Sequence, residues 1–136
     1  MTGVFLAGRI LLGGYFLYNG INHFLSVGFM AQYAASKGVP APELAVMFSG
    51  LLLLVAGACI LLGIFPKIGI AAAAIFFIGV TPMMHDFWAV PADQQMAEMV
   101  NFTKNFALLG ATLMLVAVPE PWPMSVAGRR RVVAVT

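Results

Sequence analysis

Four apolar runs, 4–24, 44–65, 68–84 and 100–118, leave this 136-residue chain few ways to fold. Each has the roughly 20 residues that a helix needs to cross a hydrocarbon core, because a spanning segment must satisfy its own backbone. With 62% hydrophobic and only 9% charged residues, the composition lies far from the globular average of about a quarter charged. The expected fold is all-α, a four-helix transmembrane bundle forming one domain over 1–122. Gly38, Pro40 and Pro42, then Pro66-Lys67, Pro91, and finally Pro119, Pro121 and Pro123 separate or close the runs.

The stretch 26–37 reads as a short helix lying in the membrane interface between spans one and two. Ser26 is placed to cap it, Phe29, Met30 and Tyr33 share a face, and Gly38 can end it; an ordered loop is the alternative. Lys67 and Arg129-Arg130-Arg131 mark one side of the membrane, while Asp86, Asp93 and Glu98 lie on the other. The positive-inside rule then puts both termini in the cytoplasm. Residues 123–136 form a basic cytoplasmic tail expected to lack fixed structure. Its arginines read as a topological anchor, in contact with anionic lipid rather than nucleic acid. Met1 to Tyr18 reads as a retained span rather than a secretory leader, since its only charge, Arg9, lies inside the apolar run. Cys59 is the single cysteine, so no disulfide forms within the chain.

Ionisable groups at membrane depth point to function unless a partner explains them. Arg9 and His23 lie on one spanning helix, about 21 Å apart at 1.5 Å per residue. On a helical wheel Arg9, Gly13, Phe16, Gly20 and His23 form one stripe, with Asn19 at its edge. Span two presents Val46, Ser49, Gly50, Leu53 and Gly57, a packing wall. Span four aligns Glu98, Asn101, Lys104, Asn105, Leu108 and Thr112. With Thr81, His85 and Asp86 from span three, these positions gather His23, Asn19, His85, Asp86, Asn101, Lys104 and Asn105 in or near the outer leaflet and leave Arg9 alone at the inner one.

Several chemistries suit that cluster. Two histidines could ligate haem or a metal, but no third ligand or binding motif accompanies them, so neither is expected. A quinone or small-lipid pocket would take aromatic walls from Phe16, Phe87, Trp88 and Phe106, with His85 and Asn105 donating to a carbonyl oxygen. Trp88 and Phe87 equally suit an interfacial aromatic belt. Lys104 and Asp86 could simply neutralise each other within a structural polar network. Transport of a small solute would call on Arg9 or His23 and on an oligomer. No nucleophile–base pair, phosphate loop or zinc spacing is present, so no self-contained catalytic constellation is expected.

The run Arg9-Ile10-Leu11-Leu12-Gly13-Gly14-Tyr15-Phe16 with Asn19-Gly20, the segment Val39-Pro40-Ala41-Pro42, Gly57 and Leu61-Leu62-Gly63 with Pro66-Lys67, His85-Asp86-Phe87-Trp88, and 102–110 around Lys104-Asn105 together resemble the DoxX family of small bacterial four-span membrane proteins. The resemblance implies an inner-membrane protein linked to redox work. Some relatives are subunits associated with thiosulfate and quinone oxidation, and others hold oxidative-stress enzymes at the membrane. It also implies that Arg9, His85, Lys104 and Asn105 are the recurrent polar positions. The chain departs from the pattern at Leu53, where many members carry a glutamate. Arg9 thereby loses an acidic partner and is left to bond asparagine, backbone carbonyl or headgroup phosphate, or to snorkel toward water as a cytoplasmic anchor. The expectation is an accessory or anchoring component of a redox or oxidative-stress assembly, with a redox or stress-response protein as partner and quinone as ligand. A membrane subunit of a quinone-linked oxidoreductase is the alternative.

Overall fold

The computed structural model describes residues 1–126 and 128, and among them every regular element is helical. They are α1 (Thr2–Leu25), α2 (Val27–Ser36), α3 (Pro42–Leu62), α4 (Pro66–Met84) and α5 (Ala92–Met114), the last extended by a 3-10 turn at Leu115–Ala117. α1, α3, α4 and α5 are the four expected spans, each long and apolar enough to cross a membrane.

Local chemistry explains the boundaries. α3 stops at Leu62, short of the expected 65, because Gly63 adopts a left-handed φ of 66° and turns the chain. α5 starts at Ala92 rather than near 100. Its first two turns hold Asp93 and Glu98, which lower hydropathy without opposing a helix, and Asp93 suits the positive end of the helix dipole. Ser26 does not cap α2 as expected. Its hydroxyl donates to Asn22 Oδ1 instead, at 3.3 Å.

α3 is central: α1 packs along one side of it and α4 along the other, while α5 packs on α4. α1 and α5 do not pack face to face, so the bundle is an open curl with an apolar cleft between Leu12 and Leu108. α2 lies across the end of the bundle opposite the chain termini, seating Ala31 and Ala34 on Val46. That end is called distal below, and the other terminal.

The spans bury several of their polar groups and turn apolar side chains outward, as helices surrounded by lipid do. Arg9, Ser49, Thr81, Asn105 and Thr112 are buried, whereas Leu11, Phe48, Leu51, Ile75 and Ile78 are exposed. The core is built on Phe16, Leu53, Ala56, Ile60, Ala73 and Phe77. Where lipid offers no hydrophobic drive, close backbone approach supplies the attraction. Gly13 and Gly57 face each other across α1 and α3 so tightly that a Cβ on Gly57 would lie 2.8 Å from the Gly13 carbonyl oxygen and 2.8 Å from the Leu17 nitrogen.

That seam predicts a contrast between two glycines. Gly57→Ala should destabilise by about 1–3 kcal/mol, since backbone must move. Gly110→Ala, where a Cβ meets nothing within 4 Å, should be neutral or stabilising by up to about 1 kcal/mol. Equilibrium unfolding in detergent micelles measures both, and equal losses would contradict the seam.

Candidate functional site

A cavity of about 560 Å³ opens in the distal half of the bundle, bordered by α1, α2, α3, α4 and α5. Its wall is largely apolar, with Phe48, Leu52, Phe76 and Phe77 among the lining side chains, and Asn19, His23, Ser49, His85, Lys104 and Asn105 bring polar atoms to it. An apolar chamber with a few convergent polar groups is the usual form of a small-molecule site.

Each polar group is held by its own element. His23 Nδ1 lies 2.7 Å from the carbonyl oxygen of Asn19, one turn earlier on α1, and its ring meets Phe76 edge to face at 6.0 Å. Asn19 Nδ2 donates to Tyr15 O at 2.8 Å. Ser49 Oγ donates to Val46 O at 2.9 Å. Asn105 Nδ2 donates to Thr81 Oγ1 at 3.2 Å across α5 and α4. His85, at the C-terminal cap of α4, places Nδ1 2.8 Å from Glu98 Oε2, and Tyr33 of α2 donates to Glu98 Oε1 at 3.1 Å.

α2 is thus tethered over the cavity. Tyr33 also donates to Met84 O at 3.3 Å, and the Lys37 ammonium pairs with Asp86. The Lys37 hydrogen bond holds the Asp86 carboxyl below the usual carboxylate range, and the same bond to Asp86 holds Lys37 above the usual ammonium range. Burial, followed by the Glu98 carboxylate, pushes the Tyr33 phenol up.

At the terminal end, Arg9 is 2% exposed. Its Nε donates to Ile60 O at 3.0 Å, one Nη to Leu61 O at 2.7 Å and the other to Pro123 O at 2.8 Å. Two of those acceptors belong to the last turn of α3, whose carbonyls have no intrahelical partner and carry the negative end of the helix dipole. The Phe5 and Trp122 rings lie 5.8 and 5.6 Å from the guanidinium carbon, within cation–π range.

The DoxX family model matches residues 4–86, which takes in Arg9, His23 and His85. The chain belongs to the DoxX family. It is 31% identical over 121 residues to the inner membrane protein YphA of Escherichia coli strain K12, covering 88% of this chain and 85% of that protein. No solved structure matches. With four apolar helices long enough to span, this DoxX protein is a multi-pass integral protein of the inner membrane.

The cavity joins some of the expected DoxX site residues and separates others. His23, His85, Lys104 and Asn105 line it; Asp86, Trp88 and Asn101 do not. Asp86 turns to Lys37 rather than to Lys104, because α2 brings Lys37 across the α4–α5 connection, and Lys104 donates to Asn101 Oδ1 at 3.0 Å. The expected aromatic wall is elsewhere. Phe16 is sealed in the core, and Phe87 and Trp88 stack edge-on with Phe102, itself 4.8 Å from Phe106, in a separate cluster where Trp88 is 60% exposed. His85 and Asn105 do not offer their assigned N–H groups to a carbonyl ligand, since Glu98 and Thr81 take them.

Arg9 is no snorkelling anchor: it finds backbone carbonyls, one of the partners that Leu53 left open to it. The expected boundary after residue 122 falls within packed chain, because Trp122 and Ser125 are buried against the terminal end. Arg129, Arg130 and Arg131 lie outside the described residues. Lys37 and Trp122 carried no sequence signal beyond type, and Tyr33 was legible only as part of the face that Phe29 and Met30 share. Only Glu98, on the inward face of α5, was positioned to be found.

Two substitutions test these networks. Arg9→Lys offers one ammonium where a planar fork reaches three carbonyls, so stability should fall by about 3 kcal/mol. On a Trp88→Phe background, Trp122 fluorescence should then become open to a soluble quencher; continued protection would refute the cap. For the tether, the signs agree across a wide pH window. Asp86, with its lowered pKa, loses its contribution only as pH falls below the carboxylate range, and Lys37, with its raised pKa, only as pH climbs through the lysine range. Intrinsic-rate-corrected amide exchange of α2 should therefore be flat from pH 5 to 9 in the wild type. Asp86→Asn should raise it about two- to fivefold.

Proposed function

We propose that this DoxX protein is an accessory membrane component of a redox or stress-response assembly, holding a quinone-class ring or a small lipid in its distal cavity. One observation carries the reading: an apolar chamber of about 560 Å³ whose few polar groups converge from α1, α3, α4 and α5. Its placement supports a ligand drawn from the bilayer, because exposed apolar side chains surround the spans at the same level. Lys67 at the terminal end and Asp86, Asp93 and Glu98 at the distal end support cytoplasmic termini, which puts the cavity in the outer leaflet.

A second reading, a membrane subunit of a quinone-linked oxidoreductase, draws on His85. A carboxylate behind one ring nitrogen fixes the imidazole and leaves the other to exchange a proton with a ligand. Transport through Arg9 draws no support from its geometry, since the side chain is buried and backbone carbonyls take its donors.

Gly79 gives a test that spares the polar network, for it lines the cavity and a Cβ there meets nothing within 4 Å. Protein purified in mild detergent should yield a quinone or small lipid on solvent extraction. Gly79→Leu should lower that yield severalfold at an unchanged unfolding midpoint. Equal yields from the two proteins, or none from the wild type, would refute the cavity as a ligand site.

A further inference from the structure

One charge within the spans has no counter-charge. Lys104 lies in the apolar run 100–118, is exposed, and donates to a neutral neighbour, Asn101 Oδ1, at 3.0 Å. The ion pairs among the described residues pass it by: Lys37 takes Asp86, Lys67 takes Glu120 and His85 takes Glu98. The chain's acids are Glu43, Asp86, Asp93, Glu98 and Glu120, and none falls inside an apolar run. Any anion that meets Lys104 at its own depth therefore comes from outside the spans, and the bilayer supplies anions in its phospholipid head groups.

Lys104 also stands at the head of a groove. The open cleft between α1 and α5 holds about 600 Å³ and is walled by Gly8 and Leu12 on one side and by Leu108, Ala111 and Leu115 on the other. Tyr15 lines both this cleft and the distal cavity, where Asn19 and Lys104 join it. Donors remain free there. Lys104 keeps two N–H groups after Asn101, Asn19 keeps one after Tyr15 O, and the Tyr15 hydroxyl has no partner among the described residues. From Lys104 to Leu115 the helix rises about 16 Å, roughly half of a 30 Å hydrocarbon core and so the depth of one leaflet. At the other end of the cleft Arg9 is buried and bonded to three carbonyls, so a head group seats only at the Lys104 end.

We propose that the α1–α5 cleft binds one anionic phospholipid, its phosphate at Lys104, Asn19 and Tyr15 and one acyl chain lying between Leu12 and Leu108 toward Leu115. The phosphate oxygens accept the donors left over, and the chain fills an apolar slot that neither helix closes. A zwitterionic head carries its own ammonium beside the phosphate and gains less from Lys104. A second copy of this chain suits the cleft poorly, because its spans bring no acid to that depth and add another Lys104. The lipid is distinct from the ligand proposed for the distal cavity, and Gly79→Leu should leave it in place.

Head and tail can be tested apart. Full-length protein in detergent micelles is mixed with equal amounts of phosphatidylglycerol and phosphatidylcholine carrying the same acyl chains, and native mass spectrometry counts the lipid that stays bound. The first bound lipid should be phosphatidylglycerol by about fivefold, the effect of one lysine at a lipid surface. Lys104→Gln should bring that ratio near one, whereas Lys67→Gln, which removes an exposed charge at the terminal end, should leave it unchanged. Gly8→Leu, where a Cβ meets nothing within 4 Å, and Ala111→Leu fill the cleft from opposite walls. Each should lower both lipids severalfold while keeping their ratio. Equal binding of the two lipids by the wild type, or the same loss of ratio in both lysine variants, would overturn the head-group site. Undiminished lipid in both filled variants would overturn the cleft as the seat of the chain. A wild-type dimer that Gly8→Leu dissociates would overturn the proposal as a whole and give the cleft to a second copy.

Discussion

A helix that ends near the edge of an apolar layer leaves carbonyls that water reaches poorly, and the terminal half of this protein is organised around meeting that demand at the end of α3. Arg9 does so with three donors in one plane, two of them to Ile60 and Leu61. The position of Gly63 follows from it: the left-handed turn there exposes the carbonyls, and a Cβ at Gly63 would lie 2.7 Å from the guanidinium. The tight α1–α3 seam runs directly on from this point, so that Gly13 and Gly57 meet one turn further into the bundle. Trp122 and Phe5, packed edge to face on each other, cover the charge together. Remove the guanidinium and the helix end, the seam and the packed C-terminal stretch all lose a common neighbour.

The distal half solves a different problem. Polar side chains there cannot rely on bulk water, and most satisfy their hydrogens on the backbone of their own helix, one turn back. That local solution fixes rotamers without tying helices together, which leaves room between them. The ties between elements come instead from the rim, where Tyr33 and Lys37 of α2 reach Glu98 and Asp86. The distal half is therefore stiff in its side chains and joined mainly around its edge, which is how a chamber survives in so short a bundle.

The sequence made the spans and their inward stripes readable because both rest on periodicity. Gly13, Phe16 and Gly20, and Val46, Ser49, Gly50, Leu53 and Gly57, are buried as their spacing requires. The start of α5 was hidden because a hydropathy run sees lipid contact, not helicity, and Asp93 and Glu98 are helical without being apolar. The site was legible only by level. His23, His85 and Asn105 stand at one height, but which carboxylate faces which base depends on how α2 crosses the end of the bundle, and no periodicity encodes that. Asp86 met Lys37 rather than Lys104 for this reason, and Trp122, isolated between two prolines, offered no pattern at all.

The bond from Arg9 to Pro123 spans 114 positions of sequence. A chain made from its N-terminus delivers α1 to the membrane long before residue 123 exists, so the guanidinium enters the bilayer with its Pro123 acceptor still unsynthesised. The translocation machinery or the headgroup region must hold that charge in the meantime. Completion of the first helix therefore waits on nearly the last peptide bond described, and a ribosome that stalls in α5 leaves behind a protein whose earliest segment is unfinished.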